Sequence, residues 1–321
     1  MRILVTGGAG FIGSNLVETL IEDPRVNLVR ILDNFSTGHS KNIDKFSGNR
    51  KFEFIEGDIR DLNICQNSCK NIDAISHQAA LGSVPRSIND PITSHEVNTT
   101  GFLNILESAR QNGIKRIVYA SSSSVYGDSQ ESPKVESNVG KVLSPYAASK
   151  MTNELYAEAF SKNFNMQIFG LRYFNVFGPN QDPNGPYAAV IPLFIKAALK
   201  NSQPKINGDG SITRDFTPIR NVTQINSKAL LNVHDESFHH VLNVACGQSL
   251  KLIELWDLIK KITGTEMEPI HGKIRPGDIL FSLANISKAI KILGYEPDID
   301  LKANLELTVK YYSNNNEEIS S

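Results

Sequence analysis

The chain has 321 residues, of which 40% are hydrophobic and 21% charged, a composition typical of soluble globular proteins with room for one large domain or two intimate ones. Its formal net charge of −1 gives no reason to expect nucleic acid or an anionic membrane as a partner. The three cysteines are too few for a disulfide framework, which favours a reducing compartment. Cys65 and Cys69 are spaced one helical turn apart, but no histidine or second cysteine pair completes a zinc set, so no metal site is predicted.

The sequence has no run of eighteen apolar residues, so it predicts no membrane span. The first predicted strand begins at Ile3, without a charged and then apolar leader. Together with the cysteine content, these observations predict a cytoplasmic protein.

Short apolar segments alternate with helical patterns through the first half of the chain. Strands are predicted at residues 3–6, 27–33, 51–57, 72–77, 116–121 and 167–172. Helices are predicted at residues 11–21, 94–111 and 146–162. Such alternation predicts right-handed βαβ units and therefore a Rossmann-type α/β fold, a doubly wound parallel sheet with helices on both faces.

The pattern changes after about residue 175. Helices are predicted at residues 190–199, 250–264 and 301–313, a turn at 208–210 and one further strand at 240–245. We therefore predict a cofactor-binding Rossmann domain at residues 1–175, to which a segment near 215–245 returns. A smaller α/β substrate-binding domain is predicted at residues 176–321.

A glycine-rich segment, Gly7-Gly8-Ala9-Gly10-Phe11-Ile12-Gly13, joins the first predicted strand to the first predicted helix. Glycine permits a sharp turn and lets phosphate oxygens approach the N–H groups at a helix start. The spacing differs from G-x-G-x-x-G, and a glycine triplet alone also occurs in turns that bind nothing. Asp33, however, ends the second predicted strand twenty residues past Gly13. A carboxylate there accepts hydrogen bonds from ribose and repels a 2′-phosphate, so NAD is predicted rather than NADP.

The ends of the next two predicted strands carry further candidates. Asp58 follows the third strand, where it could reach an adenine amino group or cap the following helix. Gln78, Ala79 and Ala80 follow the fourth strand, and the two alanines are small enough for a dinucleotide to lie flat against them. His77, which closes that strand, is expected to be a packed and hydrogen-bonded core residue rather than a metal ligand.

Tyr146 and Lys150 are the strongest catalytic candidates. Four residues make about one helical turn, so the two side chains would share a helix face. An ammonium beside a phenol favours the phenolate, which makes tyrosine a base usable near neutral pH. A serine run at residues 121–124 could supply a hydroxyl that relays or orients the same proton. Alone, the pair is also consistent with a helix-start tyrosine and a solvated lysine.

The order of these motifs resembles the extended short-chain dehydrogenase/reductase family, and within it NAD-dependent nucleotide-sugar epimerases of the UDP-N-acetylglucosamine/UDP-glucose type. The resemblance covers nearly the whole chain. It implies that Tyr146 is the base, Lys150 its lysine partner and Ser122 the catalytic hydroxyl, four residues before the motif tyrosine Tyr126. It also implies a cofactor-binding set formed by Gly7, Gly10, Phe11, Ile12, Gly13, Asp33, Asn34, Ser36, Thr37, Gly38, Asp58, Ile59, Gln78, Ala79, Ala80, Asn98, Tyr146 and Lys150. For Asn98, a helix cap is the alternative.

The residues after Ser122 bear on the type of reaction. Related dehydratases carry acidic residues directly after the catalytic hydroxyl, and related decarboxylases commonly carry a glutamate at the position of Ser124. Ser123 and Ser124 provide no carboxylate for elimination. The resemblance therefore implies C4 epimerisation through a 4-keto intermediate. A dehydratase or decarboxylase, or a non-catalytic NAD-binding regulator, is the alternative.

The second half resembles the nucleotide-sugar clamp of the same family. The implied substrate-binding set is Ser83, Ser122, Ser123, Ser124, Asn175, Ala189, Val190, Arg214, Arg275, Asp278 and Ser282. Arginines suit diphosphate oxygens, and a carboxylate suits a ribose hydroxyl. Galactose-type epimerases often bear a tyrosine where Ser282 stands, so this chain has room for an N-acetyl group. We therefore expect UDP-GlcNAc/UDP-GalNAc as substrates, with UDP-Glc/UDP-Gal as a second pair.

Two positions depart from the family pattern. Arg220 stands where an acidic residue is usual, and Lys205 stands where close relatives place an aromatic residue near the uracil. Lysine cannot stack as a flat ring does, so the selectivity for the nucleotide base is left open. The resemblance also implies a homodimer through the helices near residues 94–111 and 146–162.

Overall fold

The computed structural model describes residues 1–185, 187–232, 236–273 and 281–315. Its strands are β1 (Arg2–Thr6), β2 (Leu28–Asp33), β3 (Phe52–Glu56), β4 (Ala74–His77), β5 (Arg116–Ser122), β6 (Gln167–Tyr173), β7 (Val176–Phe177), β8 (Lys205–Asn207), β9 (Thr213–Arg214), β10 (Thr217–Pro218), β11 (Phe238–Val244), β12 (Leu250–Lys251) and β13 (Ile270–Gly272). Its helices are α1 (Phe11–Glu22), α2 (Leu62–Ser68), α3 (Val84–Asn89), α4 (Pro91–His95), α5 (Gly101–Gln111), α6 (Pro145–Phe164), α7 (Val190–Leu199), α8 (Ile219–Leu231), α9 (Leu252–Thr263), α10 (Ser287–Leu293) and α11 (Leu301–Asn314). Across the described ranges, no helix is both long and apolar enough to cross a membrane.

A seven-stranded parallel sheet in the order β11-β6-β5-β4-β1-β2-β3 forms the centre of the protein. The chain runs outward from β1 to β2 and β3, and then returns to the other side of β1 as β4. This reversal opens a crevice beyond the carboxyl ends of β1 and β4, where doubly wound folds bind their ligands. The predicted Rossmann-type fold class is confirmed.

Apolar side chains cover both faces of the sheet. One buried cluster includes residues of α1 and α8, among them Leu16, Val17 and Val222, and the other includes residues of α5 and α6, among them Phe102 and Ala157. A third cluster joins α7, α9 and α11 outside the sheet. The edge strand β11 comes from the second half of the chain and lies beside β6. We keep the division into two domains, with a segment near 215–245 returning to the first, as a proposal.

The helix predicted at residues 94–111 is divided in the structure. It consists of α4, a π-helical segment at Glu96–Thr100 and α5. Helix α8 was not predicted, because polar residues such as Asn221, Gln224 and Asn226 interrupt its sequence. Its apolar stripe packs on the sheet nonetheless, with Val222 and Ile225 fully buried.

Candidate active site

Ser122 and Tyr146 are brought together by the end of β5 and the start of α6. Ser122 is the last residue of β5, and its Oγ accepts a hydrogen bond from the Ser124 N–H at 3.1 Å. Helix α6 begins with the N-cap Ser144, whose side chain accepts from the Ala147 N–H. The Tyr146 N–H donates to the Ser87 Oγ at 3.0 Å, which also fixes the start of the helix. Both catalytic candidates therefore stand on regular elements whose ends are hydrogen-bonded.

Burial determines the acidity of the two α6 candidates. It raises the pKa of Tyr146, and a hydrogen bond with Ser122 acts in the opposite direction. Burial also lowers the pKa of Lys150 to about 8. The Lys150 Nζ donates to the Ala120 carbonyl at 2.8 Å and lies 5.9 Å from the centre of the Tyr146 ring. The lysine is thus beside the phenol, as the spacing predicts, with its ammonium anchored to β5.

A buried ion pair holds α6 against the end of β5. Glu154, one turn after Lys150, accepts two hydrogen bonds from Arg172, at 2.9 and 2.7 Å. Its Oε1 also accepts from the Ser121 Oγ at 2.6 Å. Arg172 lies on β6 directly opposite Ser121. Lys150 and Glu154 therefore connect α6 to two successive residues of β5, immediately before Ser122.

The glycine-rich turn is packed too tightly for side chains. A Cβ atom on Gly13 would lie 2.0 Å from the Gly7 carbonyl oxygen. Gly7 has a φ of +69°, and a Cβ there would lie 2.6 Å from the Ala79 nitrogen. The N-cap of α1 is Gly10, with no side-chain cap, so the first N–H groups of this helix remain available to an anion. These features fit a diphosphate bound at the helix start.

A cavity of about 360 Å³ extends over the carboxyl ends of the parallel strands. It is lined by Ser122, Asn175 and every predicted cofactor-binding residue except Gly38 and Asn98. It is also lined by residues that we did not predict, namely Leu32, Gly57, Gly82, Val97, Ala120, Ser121, Tyr173 and Val176. Most of these residues are next to a predicted residue in sequence, and this adjacency is the feature of the sequence that could have identified them. The glycine turn, the two strand-end carboxylates and the candidate base thus share one cavity that fits NAD.

The two carboxylates of the cavity have different partners. Asp33 accepts from the Ala9 N–H at 2.9 Å and the Phe35 N–H at 2.8 Å, which ties the glycine turn to the end of β2. Each of its oxygens retains a second lone pair for a ribose hydroxyl. Asp58 is paired with Arg60 at 2.7 Å, and this contact holds the pKa of Asp58 below its usual range. The N-cap of α2 is Asp61. Asp58 therefore does not cap this helix, which was the alternative role for it.

A ring of hydrogen bonds with residues of β6 and α8 fixes the Gln78 side chain. Its Nε2 donates to the Asn226 Oδ1 at 3.0 Å, and its Oε1 accepts from the Tyr173 hydroxyl at 3.2 Å. The Asn226 Nδ2 closes the ring by donating to the Tyr173 hydroxyl at 2.8 Å. Asn226 is fully buried on α8 and has no sequence motif that would have identified it.

Gly38 and Asn98 lie outside the cavity lining. A Cβ on Gly38 would lie 2.8 Å from the Ala9 carbonyl carbon, so this residue packs behind the glycine turn. Asn98 is fully buried in the π-helical segment, where its amide exchanges two hydrogen bonds with the Leu81 backbone and donates to the Ser149 Oγ. It is neither a helix cap nor a cavity residue. It supports the segment after Ala80.

The predicted substrate-binding residues are more dispersed. Ser83 caps α3, and Ser123 and Ser124 begin a short turn after β5. Ala189 is the N-cap of α7 and Val190 its first residue. Arg214 ends β9, and Ser282 is buried, with 8% of its surface exposed. Arg275 and Asp278 lie outside the described residues. Of the described members of this set, Ser122 and Asn175 line the cavity and the others do not. The two departures from the family pattern are both at the surface: Lys205 is exposed on β8, and Arg220 forms an ion pair with Asp298 at 2.8 Å.

Comparison with known proteins places this architecture in a family. A family model described as the NAD dependent epimerase/dehydratase family matches residues 3–245. A putative UDP-glucose 4-epimerase of Methanocaldococcus jannaschii is 40% identical over 98% of this chain and 99% of that protein. The solved UDP-N-acetylglucosamine 4-epimerase from Methanobrevibacter ruminantium M1, in complex with UDP-N-acetylmuramic acid, is 37% identical, with a TM-score of 0.92 over 98% of both chains.

Enzymes of other reaction types are also similar. The dTDP-glucose 4,6-dehydratase DesIV from Streptomyces venezuelae, solved with NAD bound, is 29% identical, with a TM-score of 0.90 over 99% of this chain and 98% of that chain. The fold alone therefore does not distinguish epimerisation from dehydration. On the match over residues 3–245, the chain belongs to the NAD dependent epimerase/dehydratase family, and its cofactor is NAD.

Proposed function

We propose that this chain is a UDP-sugar 4-epimerase, an isomerase that inverts C4 of a UDP-hexose with bound NAD. The observation that carries the proposal is the meeting of Tyr146, Lys150 and Ser122 at one end of the cavity, with serines instead of carboxylates at positions 123 and 124. The relatives named as UDP-sugar 4-epimerases support the same reaction.

Three side chains perform the proton chemistry in this proposal. Bound NAD, held over the glycine turn and Asp33, would supply the acceptor and donor of the C4 hydride. The Tyr146 oxygen accepts the proton of the sugar 4-hydroxyl and later gives it back. Ser122, whose hydroxyl acts to lower the pKa of Tyr146, orients or relays that proton. Lys150 is held beside the phenol by Ala120, and its ammonium stabilises the phenolate.

The position of the acidic residues argues against elimination. The carboxylates that line the cavity in the described residues are Asp33, the last residue of β2, and Asp58, which follows β3. Strands in a sheet are about 4.8 Å apart. Three strand spacings separate β5 from β2 and four separate it from β3, which gives roughly 14 and 19 Å. Neither carboxylate reaches a leaving hydroxyl placed at Ser122, so epimerisation is favoured over dehydration.

The reaction type is tested by resolving products. Purified protein is mixed separately with UDP-GlcNAc, UDP-Glc and UDP-glucuronate, and the sugars are identified by NMR. We expect the C4 epimer with no added NAD. A keto or decarboxylated product would favour a dehydratase or decarboxylase, and no conversion of any sugar would favour a non-catalytic regulator.

We further propose UDP-GlcNAc/UDP-GalNAc as the preferred substrates, with UDP-Glc/UDP-Gal as a second pair. Ser282 is smaller than the tyrosine of galactose-type epimerases, so the position assigned to the sugar C2 substituent leaves more room for an acetamido group than a tyrosine would. Replacing Ser282 with Tyr should lower kcat/KM for UDP-GlcNAc by about tenfold or more and leave UDP-Glc within about threefold, because the added ring fills that space. Ser282→Ala, which adds no volume, is the control. Equal rates of Ser282→Tyr and Ser282→Ala on UDP-GlcNAc would contradict the assignment.

We also propose a homodimer in the cytoplasm. Helices α3, α4 and α6 pack against one another and expose Ile88, Ile92 and Leu155 by 59%, 69% and 65%. A second copy that covers this surface would remove these side chains from water. Light scattering should give a dimer that Leu155→Glu converts to a monomer. Leu307→Glu, at a position 56% exposed on α11, should remain dimeric.

The cytoplasmic location is supported by the three cysteines, all of which are free thiols.

A further inference from the structure

Asp215 is a buried carboxylate that the reaction does not use. It follows β9, and none of its surface is exposed. Its Oδ1 accepts from the Cys246 N–H at 3.0 Å, and its Oδ2 accepts from the Gly247 N–H at 3.1 Å and the Ala284 N–H at 3.2 Å. One side chain therefore binds the backbone of two segments that are distant in sequence.

The segments around Asp215 carry residues of the proposed substrate site. Arg214 is its chain neighbour, and Ser282 is two residues before Ala284. The Asn175 Nδ2 donates to the Asp215 carbonyl at 3.0 Å. Asp215 is thus connected to three proposed substrate-binding residues, which come from parts of the chain separated by up to 107 positions.

Regular backbone pairing is sparse at this place. Strand β9 pairs with β12 through two residues, and β10 pairs with β7 through two residues. Such short ladders fix few backbone dihedrals, so the relative position of the segments depends on additional hydrogen bonds. The Asp215 carboxylate supplies these bonds.

We propose that Asp215 is a positioning residue of the nucleotide-sugar site, which fixes the segments of Asn175, Arg214 and Ser282 without contacting the substrate. This inference rests on the proposed UDP-sugar function. It predicts that loss of the carboxylate weakens the binding of the nucleotide sugar and leaves the proton chemistry and NAD in place.

Protonation should have the same effect as mutation. Burial raises the pKa of Asp215 to about 6. A protonated carboxyl has one oxygen that donates, and at Asp215 that oxygen would face N–H donors. In the described part of the chain, the ionisable groups that interact with it are the Cys246 thiol and the Tyr295 phenol, and Arg214 is adjacent in sequence. Burial raises the pKa of Cys246 to about 12 and raises that of Tyr295, so neither titrates near pH 6.

The test compares Asp215→Asn with Asp298→Asn. Asn keeps the shape of Asp215 but turns one acceptor into a donor, so KM for the UDP sugar and Kd for UDP should rise about tenfold, with kcat and bound NAD within about threefold. Asp298 also accepts hydrogen bonds, from the Asp300 N–H and the Asn304 Nδ2, but among the described residues it has no hydrogen bond or ion pair with a proposed substrate-binding residue. Asp298→Asn should leave KM and Kd unchanged.

The native enzyme provides a second measurement that does not depend on folding of a variant. Its Kd for UDP-GlcNAc, whose diphosphate is esterified at both ends and does not titrate in this range, should rise as the pH falls through about 6, and this rise should be absent in Asp215→Asn. A Kd that stays flat from about pH 7 to pH 5, or a KM of Asp215→Asn equal to that of Asp298→Asn, would overturn the inference. Native protein that binds UDP-GlcNAc as expected but converts no UDP sugar would instead refute the proposed function alone.

Discussion

The NAD side and the sugar side of this protein are built in different ways. Most residues of the NAD side stand at the carboxyl ends of β1, β2, β3, β4 and β5, five strands of one parallel sheet, and all of the predicted set except Gly38 and Asn98 line a single cavity. The described residues proposed for the sugar side come largely from helix starts, a turn and the two-residue strand β9, and most do not line that cavity. Backbone ladders position the first set, and side chains such as Asp215 connect the second.

This difference explains why mutations should separate the two sides. Parallel strands place their carboxyl ends at one edge whatever side chains they carry. The NAD side should therefore tolerate single substitutions, except where two backbone segments are in contact. On the sugar side the single carboxylate of Asp215 accepts three backbone hydrogen bonds. One substitution there can therefore displace several of the proposed substrate-binding residues.

The largest expected effect belongs to Tyr146, which lies where the two sides meet. Tyr146→Phe removes the only oxygen that the proposal assigns to accept the sugar proton, so kcat should fall by about 10³-fold. The NAD content and the Kd for UDP should remain near normal, because the ring is kept. Turnover is measured by coupled assay and bound NAD by absorbance. A variant that retains more than about a tenth of native turnover would remove Tyr146 from the mechanism.

Glu154→Gln should reduce stability more than any surface change on the same helix. The substitution leaves Arg172 buried and charged, with 4% of its side chain exposed, which costs about 3–5 kcal/mol. Glu158→Gln is the matched control four residues away, with 43% of its side chain exposed, and it should lose less than about 1 kcal/mol. Urea unfolding measures both. Similar losses for the two variants would mean that the ion pair does not hold α6 to the sheet.

The glycine turn should separate NAD binding from UDP binding. Ala at position 13 places a methyl group 2.0 Å from the Gly7 oxygen, so the turn must open and NAD affinity should fall roughly 10- to 100-fold. Ala at position 10 meets the same oxygen at 3.3 Å, so Gly10→Ala should weaken NAD binding only several-fold. UDP binding should persist in both variants. Equal NAD affinity of the two variants, measured by calorimetry on NAD-free protein, would contradict this structure of the turn.

The sequence predicted the NAD side far more completely than the sugar side, for the same physical reason. Alternating patterns predicted all seven sheet strands within two residues at either end, and glycines or carboxylates mark the ends of several. Helix α8 and its Asn226 were missed because polar residues hide the apolar stripe. The break of the predicted 94–111 helix at Glu96–Thr100 depends on tertiary packing. The connections made by Asp215 join segments far apart in sequence, which no local pattern reveals.

Lys150 should give the smallest and most specific effect, a change in pH dependence. Turnover should rise with pH through the pKa of Tyr146, because the phenolate is the base. Lys150→Met removes the positive charge that favours the phenolate, so on the acid limb of the profile, below about pH 8, its turnover should be lower than native by up to about tenfold, the equivalent of one pKa unit. The pKa of Lys150 is lowered to about 8, so the native ammonium loses its proton above that pH and the difference between the two enzymes should narrow there. Lys150→Arg, which stays charged, should be slower than native with an unshifted limb. If the limbs of Lys150→Met and native enzyme coincide, Lys150 acts through position and not through charge, and the contribution assigned to the ammonium passes to Ser122.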